Sequence, residues 1–381
     1  MPNNNKLVVD NFAEVKSTLI DWIDQEFWDF SMVDPEPGSI YVIGRQQLID
    51  NKQKIRDMCT SGLYTVIFNN SAEGSWTLES QISQLRMNEL VEQKKLLLIG
   101  GAQVTSAWPC LTHEHFLTHI LDYEENIRAQ KSVTDIFEKT NKPYKFLFLN
   151  GRSRPHRKYL YEKLKRAGVL DLSLWTMLDA KPCVWGSFDL HENDTNIMAT
   201  PTELQHLPIS YEVDRYRNPV FGPIVLDRSN LKQELFNREW GEIYLEPAPY
   251  VDTYFSLVTE TVCAESVYSF RTEKIAKPLV IGHPFIVAST PGFYRDLHEL
   301  GFKTFGHVID ESFDLIPDAQ ARMDRIVEIT TDLCQQDLAS FLKECYTVCK
   351  YNQQHLAELQ TQVRKEFPKR FFKFVQQYRH E

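Results

Sequence analysis

The chain has 381 residues, 43% of them hydrophobic and 12% aromatic, enough to bury sizeable cores in two domains. Its net charge of −10 and pI near 5.6 argue against a general nucleic-acid binder, because neutralising phosphates supplies most non-specific affinity. No apolar run is long enough to span a bilayer as a helix.

The amino-terminal stretch MPNNNKLVVDNFAEV has neither the basic start nor the apolar centre of a secretory signal. Seven cysteines (Cys59, Cys110, Cys183, Cys263, Cys334, Cys345 and Cys349) are scattered, odd in number and without C-x-x-C spacing. Reduced thiols in a cytoplasm are therefore expected, and structural zinc is not. Apolar runs at 39–43, 65–68 and 95–99 read as buried strands, separated by helical stretches at 46–58 and 78–91. Such alternation predicts a parallel sheet between layers of helices. Glu73 follows the second run. Trp76 and Trp108 also follow candidate strands, where an indole either stacks on a sugar or packs in a core. Glu114 lies between His113 and His115; that triplet alternates sides on a strand or spreads around a helix, which makes it a poor metal site.

The segment KFLFLNGRSRPHRKYLYEKLK (145–165) reads as a strand, a basic turn and a helix with Tyr159, Leu160 and Leu164 on one side. Pro155 suits the first helical turn, where its missing donor costs nothing. Arg152, Arg154 and Arg157 at one turn repel each other unless an anion joins them or water screens them. A diphosphate is the natural anion, since guanidinium forks grip phosphate oxygens in pairs. Residues 179–237, rich in Pro, Asp, Asn and Tyr, read as long loops. Short strands are expected at 243–245, 254–258 and 284–288. Between the last two, Thr272 caps a short helix through Leu279 and places Glu273 and Lys274 in its first turn. Free amides and a lysine there suit a phosphate, and the neighbouring carboxylate suits a sugar hydroxyl; a solvated, capped helix is the alternative.

Beyond Asp332 the pattern is one long helix, interrupted by Pro368. The run KRFFKFVQQYR then sets Phe371, Phe374, Val375 and Tyr378 on one face among Lys369, Arg370, Lys373 and Arg379. That face either meets a membrane surface or a partner, or packs back on the amino-terminal domain.

Over about 145–305 the chain resembles the alpha-1,3/1,4-fucosyltransferases, which use GDP-fucose. Arg157 to Leu164 (RKYLYEKL) fits that family's arginine-led helix. FSLVTET (255–261), FRTEK (270–274) and GHPFIV (282–287) follow its later F-x-x-x-F-E-N-S, Y-(V/I)-T-E-K and G-x-(I/V)-P-(I/V) motifs. Thr261 stands where the family has asparagine, Phe270 where it has tyrosine, and Pro284 falls one position early. The resemblance implies that Arg157 and Lys274 bind the donor diphosphate and Glu273 the ribose or sugar, with Glu260 in the place of the E-N-S glutamate. It implies a glutamate base just after an amino-terminal strand, a position Glu73 matches; Glu114 is the alternative. Arg152, Arg154, Tyr268 and Thr272 complete the expected donor site.

The expected fold class is α/β of GT-B type, two Rossmann-like domains facing a cleft. The acceptor domain is expected at 1–140, the donor domain at 141–332 and a helical extension at 333–381. The expected activity is inverting, metal-independent glycosyl transfer from a nucleotide-sugar donor, a GDP-sugar first, to a glycan or other hydroxyl acceptor, without a prosthetic group. Transfer to a hydroxylated DNA base, or nucleotide-sugar binding without catalysis, are the other readings.

Overall fold

The computed structural model describes residues 5–9, 28–31, 34–104, 106–150, 154–177, 205–206, 245–263 and 269–379. It is an α/β protein that divides into two compact units, Met1–Thr118 with Glu358–Glu381, and His119–Ala357. The division falls at Thr118 rather than near residue 140, and the carboxyl-terminal segment is shared between the units instead of standing apart as an extension.

The first unit holds the strands β1 (Asn5–Val9), β2 (Trp28–Ser31), β3 (Ile40–Ile43), β4 (Thr65–Asn70), β5 (Leu96–Gly100) and β6 (Cys110–Thr112). They form one parallel sheet in the order β2-β1-β3-β4-β5-β6. Its helices are α1 (Arg45–Asp50), α2 (Lys52–Ser61), α3 (Ser75–Gln84) and α4 (Asn88–Glu92), and the division falls before the last residue of α5 (His115–His119). The two long helices expected from periodicity are each divided. Asn51 leaves helical geometry between α1 and α2, and Arg86 takes a positive φ of 54° between α3 and α4.

Alternation along the strands explains why these runs are apolar throughout. Val8, Tyr41, Ile43, Val66, Phe68, Leu96 and Leu98 face one way, onto Leu48, Ile55, Met58, Leu78 and Ile82 of the helices. Leu7, Val9, Ile40, Val42, Ile67, Leu97 and Ile99 face the other way, onto Phe367, Phe371, Phe374 and Val375. A parallel sheet covered on both faces needs apolar residues at every position. Trp108, partly buried, packs against the first of these clusters.

The second unit holds the helices α6 (Glu124–Ala129), α7 (Val133–Glu138), α8 (Pro155–Arg166), α9 (Ala248–Val251), α10 (Glu273–Ile281), α11 (Phe293–Glu299) and α12 (Ala319–Cys334). Its strands are β7 (Phe146–Asn150), β8 (Leu174–Met177), β9 (Gln205–His206), β10 (Phe255–Thr259) and β11 (Phe285–Ala288). The order is β11-β10-β7-β8-β9, parallel except where β9 pairs with β8. The chain runs outward from β7 to β8 and β9, then returns to the other side of β7 with β10 and β11. The switch point of the sheet therefore lies between β7 and β10, where ligands of open parallel sheets bind, beyond the carboxyl ends of the strands.

A single helix, α13 (Leu338–Tyr378), ends the described chain and passes through Pro368. The expected break does not occur. A helical proline costs about 3 kcal/mol, whereas burying each large apolar side chain returns about 1.5–3 kcal/mol. Phe367, Phe371 and Phe374, all below one tenth exposed, together outweigh it. The apolar face left open between membrane and core is thus in the core, while Arg370 and Arg379 donate to the carbonyls of Thr112 and Gly38 at 3.0 and 2.9 Å. Among the described residues no helix is long and apolar enough to cross a membrane.

Gly282 closes α10 with φ +74°, and a Cβ there would lie 2.7 Å from Cγ2 of Val133. Left-handed backbone and overpacking both penalise a side chain, so Gly282→Ala is expected to lose about 2–4 kcal/mol of stability. Thermal unfolding with a melting point within a degree of the parent would contradict this.

Candidate functional site

The carboxyl ends of β7 and β10 are tied by Thr259 Oγ1, which donates to Asn150 Oδ1 at 2.5 Å. Glu260, the next residue along, is fully buried. Its Oε1 accepts from the amides of Thr272 at 3.1 Å and Ile275 at 3.3 Å; its Oε2 accepts from Thr272 Oγ1 at 2.6 Å and from the Thr261 amide at 3.3 Å. Burial raises this carboxyl above the ordinary glutamate range, against the lowering effect of Lys274 and Thr272.

Thr272 is the N-cap of α10, as the sequence predicts, and its Oγ1 accepts from the Lys274 amide at 3.3 Å. The helix start is therefore not a set of free amides waiting for phosphate. The Thr272 and Ile275 amides meet the chain's own carboxylate, and the Lys274 amide meets the cap. The Lys274 ammonium, 23% exposed, donates to Thr272 Oγ1 at 3.1 Å and Thr261 Oγ1 at 3.4 Å and pairs with Glu273. Burial, the largest single influence, would raise the Glu273 carboxyl, but Lys274, Lys277 and a backbone hydrogen bond together hold it below the ordinary range.

Arg157 also lies elsewhere than its position in the motif implies. It is 2% exposed, and its Nη2 donates to the carbonyls of Thr259 at 3.1 Å and Glu260 at 3.2 Å. It braces the end of β10 from beneath, because a guanidinium in the first turn of α8 can satisfy two strand-end carbonyls that helix and sheet leave over. His156 Nε2 reaches the Glu260 carbonyl at 2.9 Å, and burial with Arg157 alongside pushes its pKa well down, so the neutral ring is the donor. Arg154 is the partly exposed N-cap residue of α8, just beyond β7. Arg152, Tyr268, Cys183, Ile243, residues 179–237 and the side chain of Trp76 lie outside the described residues.

Sequence reasoning passed over two positioning groups. Asn150 and Thr259 end adjacent strands as small polar residues after apolar runs, which was a readable sign. Arg322 was not readable: from α12 it donates to the carbonyls of Cys263, Ser289, Ile316 and Pro317 at 2.6 to 3.0 Å.

The two candidate bases are in the first unit. Glu73 is partly exposed in the turn after β4; its amide donates to Asn70 O and its carbonyl accepts from the Gly101 amide, both at 3.0 Å. Glu114 follows β6, is also partly exposed, and its carbonyl accepts from the Thr118 amide at the start of α5.

The histidine pair expected to make a poor metal site, His113 and His115, is joined by a third histidine. With His119 included, the three buried imidazoles offer ligand atoms that all lie within 4.8 Å of one another. His119 lies four residues after His115 and so on the same side of a helix.

Compared with family models, curated proteins and solved structures, the chain matches none of them.

Proposed function

We propose that the chain is an inverting glycosyltransferase of GT-B type that takes a nucleotide-diphosphate sugar, a GDP-sugar such as GDP-fucose first. The observation that carries this reading is the gathering of Thr261, Thr272, Glu273 and Lys274 around the Glu260 carboxylate at the switch point of a parallel sheet. In the proposed reaction an acceptor hydroxyl oxygen attacks the anomeric carbon, the bond from that carbon to the diphosphate oxygen breaks, and the nucleoside diphosphate departs. The hydroxyl proton passes to a carboxylate, Glu73 first and Glu114 second. Lys274 stabilises the leaving diphosphate in the place a divalent ion takes in other transferases, and Glu273 receives ribose or sugar hydroxyls. Arg157 serves this site by fixing the Thr259 and Glu260 backbone, a positioning role.

Thermal unfolding in the presence of GDP, UDP, ADP, CMP and their sugar conjugates tests the reading, because a ligand held by the folded state alone raises the melting temperature. One nucleotide is expected to give a shift of several degrees without added metal, and Lys274→Ala is expected to remove it while melting normally without ligand. No shift with any nucleotide would refute the donor site. An equal shift in Lys274→Ala would move the diphosphate away from this helix.

A further inference from the structure

We propose that His113, His115 and His119 bind one divalent transition-metal ion, zinc by preference, with Asp122 orienting His119. The three are 1%, 9% and 5% exposed, and a nitrogen from each lies within 4.8 Å of the other two. The arrangement is local to one strand-to-helix turn. His113 is the residue after β6, and its amide donates to the Gly100 carbonyl at 2.9 Å, continuing the pairing with β5. The chain then turns at once: the His115 amide donates back to His113 O at 2.8 Å, and Thr118 donates to Glu114 O to open the helix. His115 and His119 are four apart on α5 and so share its side, while the tight turn brings His113 towards them. His113 is seated by the ring of Phe367, 4.7 Å between centroids, and His115 by Phe116 at 5.0 Å.

The second observation is at His119. Its Nδ1 lies 2.8 Å from Asp122 Oδ2. An ionised carboxylate there takes the Nδ1 proton as a hydrogen bond and leaves Nε2 with its lone pair, the form that ligates metal; carboxylates behind metal-bound histidines do this as a rule. Imidazole nitrogens about 2.0–2.1 Å from zinc stand about 3.3 Å apart in a tetrahedron, so the rings need to close by at most about 1.5 Å. Three nitrogens and no thiolate select zinc, copper, nickel or cobalt over magnesium or calcium. The fourth position is left for water or another ligand. This inference is independent of the donor site and of how sugar transfer proceeds.

The test uses the full chain, freed of metal with a chelator and titrated with Co²⁺ and then Zn²⁺. The expected result is visible Co²⁺ absorption saturating at one ion per chain, displaced by one equivalent of Zn²⁺, with a rise in melting temperature. His115→Gln with His119→Gln is expected to abolish the absorption. Asp122→Asn, a partly exposed change that leaves all three ligands and the core in place, is expected to weaken the ion about 10–100-fold. Absence of stoichiometric uptake by the parent chain would overturn the site, as would full uptake by the double variant. Unchanged affinity in Asp122→Asn would overturn the role given to Asp122, and this variant remains decisive should the double variant fail to fold.

Discussion

Replacing Glu260 by alanine is expected to lower the stability of the second unit by about 3–5 kcal/mol, because several buried donors each lose their acceptor. The substitution leaves the Thr272 and Ile275 amides, and the Thr272 hydroxyl, without their carboxylate in a place water does not reach. Glu260→Gln keeps one oxygen for the amides and is expected to cost about 1 kcal/mol. The two variants separate further with pH. Burial raises the folded-state pKa of Glu260 above its ordinary 4.5, so the folded chain holds that proton more tightly than the unfolded chain does. The stabilisation from that proton is complete below the unfolded value and is lost as pH rises through the folded one. The advantage of the parent over Glu260→Gln is therefore expected to be largest below about pH 4.5 and to shrink towards neutrality. Denaturant midpoints across this range measure it; an advantage growing with pH would show that the carboxylate, not the acid, is the form the site prefers.

Phe371→Ala is the second large effect, a loss of about 3–5 kcal/mol from the first unit. Phe371 is fully buried in the cluster with Leu7, Val9, Ile40, Val42, Ile67, Leu97 and Ile99, so truncation opens a cavity on one face of the sheet. Phe371→Leu, which refills much of the space, is expected to lose less than half as much. Unfolding followed by tryptophan fluorescence gives both values. A loss under about 1 kcal/mol for the alanine variant would mean that the end of α13 lies free of the sheet, and would reopen a surface role for its aromatic face.

Several elements were legible because their signals are local. Residues 39–43, 65–68 and 95–99 are β-branched or leucine-rich runs between polar stretches, and strands form there. Pro155 begins α8, and Thr272 caps α10 through its own hydroxyl. Others carried too little local signal. The three residues of β6 and the four of β8 are strands because neighbouring strands present unpaired backbone groups to them, which no short window reveals. Pro368 reads as a breaker, yet burial of the phenylalanines around it decides otherwise.

The candidate site divides along the same line. Which residues carry charge near the T-E-K motif is written in the sequence, as is the strand-turn-helix that holds Arg154 and Arg157. What each charge does was decided by tertiary contacts. A buried glutamate from a different strand took the helix amides, two strand-end carbonyls took Arg157, and Lys274 paired with Glu273 and the hydroxyls of Thr261 and Thr272. Hydrogen bonds and desolvation depend on which groups meet, and those groups lie up to 109 positions apart in the chain. Periodicity and capping act over a few residues, so the sequence by itself determined strands, helix starts and the α/β class. Pairing of distant polar groups, which sets the charge and reach of each functional side chain, belongs to the tertiary structure alone.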